Sequence, residues 1–186
     1  MLDLYVARHG ATDWTRTGQH TGRTDLPLLP EGEEQARHLG ELLRGVEFTA
    51  VYSSDLQRSL RTAELAGFAS VEKTPLLREY DYGDYEGMTS RQIRETRPDW
   101  EIYRDGCPGG ETPDQVCARA LGFVDLLPGT EGAVLAFSHG HFLRALAAAW
   151  AELPIIAAGR LALDVAALGV LRDGEQSRVI QRWNLA

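Results

Sequence analysis

Two histidines each stand where a short apolar run meets a His-Gly pair: Leu2-Asp3-Leu4-Tyr5-Val6-Ala7 leads into Arg8-His9-Gly10, and Val134-Leu135-Ala136-Phe137 into Ser138-His139-Gly140. Runs of this length read as buried strands, and open α/β sheets gather ligands outside the carboxyl ends of their strands. The two imidazoles are therefore expected to share one site. A third such stretch, Ala50-Val51-Tyr52-Ser53, continues into Ser54-Asp55-Leu56-Gln57-Arg58, which sets Arg58 on the first turn of a helix, able to point back to the same place. Arg-His-Gly by itself arises by chance in on the order of one chain in a hundred of this length, so the wider pattern carries the reading.

The chemistry these residues offer is directed at phosphate. Arg8 and Arg58 supply two planar forks of donors matched to phosphate oxygens, and a helix N-terminus adds free N–H groups. The chain has neither a carboxylate cluster nor a Gly-x-x-x-x-Gly-Lys loop, so neither a magnesium site nor a nucleotide cradle is expected. Phosphoryl transfer without metal or other cofactor is. A neutral imidazole attacks phosphorus well when its other ring nitrogen donates to a backbone carbonyl, while cationic groups offset charge on the equatorial oxygens. An alkoxide leaving group needs a proton, and burial or a bound phosphate raises a carboxyl pKa. Leu77 to Gly87 contains Glu79, Asp81, Asp84 and Glu86, and spacing alone does not choose among them.

Elements able to position these groups follow from periodicity. A strand over about 2–8 precedes a long polar segment. Ala36, Leu39, Leu42, Leu43 and Val46 then recur at helical spacing from Pro30 to near Gly45. The strand at 50–53 is followed by a helix ended by Gly67, and a short strand is expected near Val71. Thr89-x-x-Gln92 and Thr112-Pro113-x-Gln115 read as capping boxes opening two helices. The 133–138 strand, a helix over 141–150 and closing strands near 166–172 and 178–183 complete the pattern. Such alternation predicts a single-domain α/β fold, a three-layer α/β/α sandwich around a mostly parallel sheet, spanning 1–186 with an inserted loop and helical cap at about 75–112.

A length of 186 residues, with 44% hydrophobic and 25% charged residues, suits one soluble domain. No stretch reaches the length of a membrane span and no secretory leader is recognisable, so a cytoplasmic protein without membrane partners is expected. Cys107 and Cys117 lack metal-ligand spacing. A net charge of −8 argues against nucleic-acid partners, which require clustered cations, yet a cleft holding a few arginines is locally positive. The expected partner is a small phosphorylated metabolite. His38 falls on the polar side of its helix and is read as solvated; His141, beside a helix start, is read as structural, as are Trp14, Trp100, Trp150 and Trp183.

Taken together, the residues resemble the histidine phosphatase, or phosphoglycerate mutase-like, superfamily over nearly the whole chain. Arg8-His9-Gly10, Thr12, Trp14, Thr21-Gly22, Asp25, Leu28, Gly32, Ser53-Ser54, Arg58, Thr62-Ala63, Leu77, Glu79, Gly83, Glu86-Gly87, Gly110-Glu111 and Ser138-His139-Gly140 fall in family order. The resemblance implies His9 as the nucleophile, Glu79 as acid and base, and Arg8, Arg58 and His139 as the phosphate pocket, with Thr21 and Gly140 touching phosphate. Thr15 stands where most members carry asparagine. The 18–28, 79–88 and 103–112 stretches are similar to the branch of sedoheptulose-bisphosphatase-like enzymes and broad acid phosphatases, which implies sugar phosphates as substrates and Thr15, His20, Arg104 and Cys107 at the pocket rim. A phosphoglycerate mutase and a catalytically weak binding or regulatory member are the alternative readings.

Overall fold

The computed structural model describes residues 1–129 and 131–186. Strand β1 (Leu2–Arg8) buries Leu4, Val6 and Ala7, as expected for a strand covered on both faces. With β2 (Ala50–Ser53), β3 (Glu72–Lys73), β4 (Gly132–Ser138), β5 (Leu168–Asp173) and β6 (Arg178–Leu185) it forms one sheet in the order β3-β2-β4-β1-β5-β6. β1, β2, β3 and β4 run parallel, while β5 is antiparallel to β1 and β6 to β5. The fold is thus mixed α/β with a mostly parallel sheet, as the alternation predicts.

Side chains divide by pleat. Val134 and Ala136 of β4 face the core shared with α6 (Pro113–Val124) and α7 (Gly140–Trp150), which includes Phe123, Phe142, Leu143 and Leu146. Leu135 and Phe137 face the other way, against Leu39 and Leu43 from α2 (Pro30–Leu42) and its C-terminal turn and Ala63 of α3 (Gln57–Leu65). Leu39 is fully buried, so truncating it to alanine costs about 2–5 kcal/mol. That smaller core holds α2 and α3 against the strand that delivers His139.

The two predicted capping boxes form, opening α4 (Ser90–Thr96) and α6, and Leu29 precedes α2 with no side-chain cap. Other boundaries differ. The long polar segment after β1 contains a further helix, α1 (Asp13–Thr17), opened by a Thr12/Thr15 capping box that lacks the usual Glu or Gln signal and stopped by Gly18 at φ 78. α2 ends at Leu42, short of Gly45. The last pair of strands begins at Leu168 rather than 166, because Ala166 takes φ 53. Between 75 and 112, two 3₁₀ turns (Pro75–Leu77 and Gly83–Tyr85), α4 and α5 (Ile102–Asp105) lie among long irregular connections. Among the described residues no helix is long and apolar enough to cross a membrane.

Candidate active site

Strand register brings the two histidines together. Arg8 pairs with Ser138 across β1 and β4, so the next residues, His9 and His139, lie side by side with ring centroids 5.1 Å apart. His9 continues the strand on both sides: its N–H donates to the Ser138 carbonyl (3.0 Å) and its carbonyl accepts from Ala166 N–H (3.0 Å). The ring is fixed too. Nδ1 lies 2.8 Å from the Gly10 carbonyl, an arrangement in which Nδ1–H donates and Nε2 keeps its lone pair. Burial, then the charges of Arg58 and Arg8, hold the His9 pKa well below the ordinary histidine value, so the imidazole is neutral at pH 7.

The Gly10 peptide that orients this ring is itself tied down. Its N–H donates to Thr62 Oγ1 (3.1 Å), and the Thr62 hydroxyl donates to the Arg58 carbonyl (2.7 Å). Gly10 also lies against Gly32 of α2 so closely that a Cβ on either would fall on backbone atoms of the other segment. Backbone-to-backbone contact of this kind admits only glycine. The His9–Gly10 turn is thereby fixed to α2 and α3 at once.

Arg58 is fully buried beneath this turn. Its Nε donates to His139 Nδ1 (3.1 Å), Nη1 to the Thr24 carbonyl (3.0 Å), and Nη2 to the carbonyls of Thr21 (3.0 Å) and Gly22 (3.1 Å). His139, also fully buried, has its Nε2 2.8 Å from Ser54 Oγ. Because Nδ1 accepts from Arg58, Nε2 carries the proton and the ring is neutral, in line with a pKa lowered by burial and by Arg58. The 20–25 loop is gripped from the other side by Glu86, which accepts from Gly22 N–H and Thr24 N–H at 3.0 Å each. Arg58 and His139 thus form a floor under His9; the bonds given engage at most four of the five guanidinium N–H groups of Arg58 and both ring nitrogens of His139.

Above the floor is a cavity of about 230 Å³ bordered by Arg8, His9, Thr15, Thr21, Glu79 and Gly140. Glu79 Oε1 accepts from the N–H groups of Tyr80 (2.8 Å) and Phe142 (2.7 Å), and Oε2 from His141 N–H (3.1 Å), anchoring the carboxylate at the N-terminus of α7. Arg8 donates from Nη1 to the Leu163 carbonyl, while its buried Nε has no hydrogen-bond partner among the described residues. A Cβ at Gly140 would lie 3.1 Å from the Arg8 Cζ and Nε, so glycine there lets the guanidinium lie along the helix start. The Thr15 hydroxyl is engaged locally, donating to the Thr12 carbonyl (2.8 Å) and accepting from Thr12 N–H (2.9 Å). Among the described residues Thr21 Oγ1 has only a long contact, 3.4 Å to the Gln19 carbonyl.

On the far wall of the cavity only His20, expected at the rim, was foreseen. His141, read from sequence as a helix-start residue, borders it with His20, Tyr82, Trp14 and Arg144. Tyr82 OH is 2.7 Å from His141 Nδ1, and His20 stacks on Tyr82 at 4.6 Å. Burial, with Arg94 nearby, lowers the His20 pKa to about 4, and burial holds His141 well below its ordinary value. Arg144 donates from Nε to the Ala158 carbonyl (3.0 Å) and lies over the Tyr103 ring; no carboxylate pairs with it among the described residues. Its position four residues after Gly140, on the same helical face, was the available signal. Arg104 and Cys107, expected at the rim, do not border the cavity: Arg104 pairs with Asp105, and Cys107 is buried with its thiol pushed up to about 12. Among the described residues no group of His, Cys, Asp and Glu is arranged to hold a metal ion.

Comparison with known proteins matches residues 4–186 to the histidine phosphatase superfamily (branch 1). The chain is 43% identical to an acid phosphatase of Mycobacterium tuberculosis, over 90% of this chain and 84% of the relative. It is 36% identical to the sedoheptulose 1,7-bisphosphatase of Saccharomyces cerevisiae, over 81% and 68%. A probable phosphoglycerate mutase GpmB of Salmonella choleraesuis is 32% identical, over 98% and 90%. Among solved structures, that of the open reading frame Rv3214 from Mycobacterium tuberculosis superposes with a TM-score of 0.95 at 40% identity, covering 99% of this chain and 97% of that one. With the fold, the paired strand-end histidines and these matches in agreement, the chain belongs to the histidine phosphatase superfamily and is a phosphoric monoester hydrolase.

Proposed function

We propose that the protein is a metal-independent phosphatase that hydrolyses small phosphomonoesters, sugar phosphates foremost, through a phosphohistidine at His9. The observation that carries this reading is the neutral His9 ring, its Nδ1 held by the Gly10 carbonyl and its Nε2 free beside Arg8 and Glu79 at the cavity. In the first step Nε2 attacks phosphorus, the P–N bond forms as the ester P–O bond breaks, and Glu79 gives the departing alkoxide a proton. In the second, Glu79 takes a proton from water as its oxygen attacks, the P–N bond breaks, and inorganic phosphate leaves. Arg8 faces the charge on the transferring oxygens throughout. Thr21 and the Gly140 N–H are further phosphate contacts, with Arg58 and His139 beneath them. Thr15 acts by shaping the turn rather than by donating.

The substrate class rests on the far wall. Arg144, a guanidinium without an acidic partner among the described residues, lines the cavity of about 230 Å³, which fits a compact polyol bearing a second anionic group, such as sedoheptulose 1,7-bisphosphate, better than a bulky hydrophobic ester. Two free thiols suit a reducing, cytoplasmic setting.

A panel of mono- and bisphosphorylated sugars, compared by kcat/KM, tests the substrate class: bisphosphates are expected to lead, and Arg144→Ala to raise KM for them roughly tenfold or more. A flat profile would favour a broad acid phosphatase. Phosphoglycerate interconversion with bisphosphoglycerate present, fast and with little phosphate released, would mean a mutase instead. Glu79→Gln is expected to slow alkyl esters by on the order of 100-fold and activated aryl esters far less, since a good leaving group needs little protonation. Equal losses would move the proton-transfer role to another group.

A further inference from the structure

We propose that Arg119 and Glu111 are positioning residues for the reaction, a clamp that fixes the place of the Glu79 carboxylate without touching substrate. The inference rests on the reading of Glu79 as the proton donor. Residues 76–81 run outside the sheet, and their backbone groups have few partners in regular secondary structure, so side chains must satisfy them. Arg119, on α6, does most of this. Its Nη1 donates to the carbonyls of Leu76 (2.9 Å) and Arg78 (2.7 Å), and its Nη2 to the carbonyl of Glu79 itself (3.2 Å). Nε and Nη2 also grip Glu111 at 2.7 Å each. Glu111 closes the other end of the segment: Oε2 accepts from Asp81 N–H (2.9 Å), and its own N–H donates to the Asp81 carbonyl (2.9 Å).

The clamp is referenced to the same helix that holds the carboxylate. Arg119 lies over the Phe142 ring with Cζ 4.4 Å from its centroid, and the Phe142 N–H donates to Glu79 Oε1. One residue therefore supports Glu79 from both ends, by its ring through Arg119 and by its amide directly. Arg119 and Glu111 are each only 16% exposed, and all five guanidinium donors are used in a fork that lysine cannot reproduce. Reaction rates respond steeply to the placement of a reacting group, an error of about 1 Å costing on the order of 100-fold. A segment held carbonyl by carbonyl is suited to that demand.

The test compares Arg119→Lys, Arg119→Met and Glu79→Gln on an alkyl and an activated aryl phosphomonoester, with thermal melting recorded for each. The clamp predicts that the Arg119 variants fold and lose kcat/KM on the alkyl ester by roughly 10- to 100-fold, with the aryl kcat/KM nearly kept, because kcat/KM ends at the first P–O cleavage and leaves out the dephosphorylation step that both esters share. It further predicts that Glu79→Gln/Arg119→Met is no slower than Glu79→Gln alone, because the arginine acts through the carboxylate. Equal loss on both esters in the Arg119 variants, or additive loss in the double variant, would overturn the clamp while Glu79→Gln still discriminates between leaving groups. Should Glu79→Gln itself not discriminate, the assignment of Glu79 falls first, and the clamp with it. If Arg119→Met does not fold, Glu111→Gln, which keeps the acceptor for Asp81 N–H, carries the same comparison.

Discussion

The floor of the site and its far wall are built by different means. The floor comprises His9, His139, Ser54 and Arg58, all at or just beyond the ends of β1, β4 and β2 or on the first turn of α3; register brings the first three together, and the 20–25 loop holds Arg58 against them. The wall comprises His20, Tyr82, His141 and Arg144, drawn from an irregular loop, a turn and a helix and meeting through ring stacking and one hydroxyl–imidazole hydrogen bond. The chemistry common to a family can rest on sheet geometry, whereas the shape offered to a leaving group can change through loops without disturbing it.

Acid sharpens the contrast by loading both regions. His9 and His139 in the floor, and His20 and His141 in the wall, all have lowered pKa values, with burial as the first cause. Below about pH 6.5 the unfolded chain binds protons that the folded chain refuses, so stability is full above that pH and falls as pH drops through it. Each buried histidine contributes a loss of about 1 kcal/mol between pH 6.5 and 5.5, about 4 kcal/mol for the set. Urea titrations across this window check it. His20→Gln/His141→Gln should halve the slope; an unchanged slope would mean that the wall takes no part.

Arg58→Met tests the floor directly. It leaves three loop carbonyls and His139 Nδ1 without their donor, a cost of about 3 kcal/mol or more, read as a large fall in the urea midpoint together with lost activity. A stable variant would mean the loop is held mainly by Glu86. Thr62→Val is milder, leaving the Gly10 N–H unpaired at about 1–2 kcal/mol, with kcat falling and KM kept. Tyr82→Phe should have the smallest effect: removal of the hydroxyl facing His141 shifts KM a few-fold between substrates and leaves stability within about 0.5–1 kcal/mol. A kcat collapse in Tyr82→Phe would move chemistry into the wall and erase the distinction.

How much of this was legible in the sequence follows the same division. Apolar runs ending in His-Gly announced β1 and β4, and the phase of a parallel pair then places His9 beside His139. Both Thr-x-x-Gln boxes identified their helices because the box is a local device. The Thr12/Thr15 box was missed because threonine substitutes for the usual acidic or amide partner. His141 and Arg144 were passed over or misread because their role depends on where α7 begins in space, and Arg119 because its partners are carbonyls of an irregular segment, which no side-chain pattern encodes. That Arg58 lies fully buried among loop carbonyls, rather than reaching outward, is likewise a property of the 20–25 loop and not of its own helix.

The central claim, covalent catalysis at His9 Nε2, is tested most directly by rapid acid-free quenching during turnover of a phosphate-labelled substrate, followed by mapping of the label. The account predicts an acid-labile, alkali-stable phosphoryl group on His9 that forms and decays at the turnover rate and is absent from His9→Ala, whose activity falls at least about 1,000-fold. Brisk hydrolysis with no label on His9, or with the label on another side chain, would contradict it.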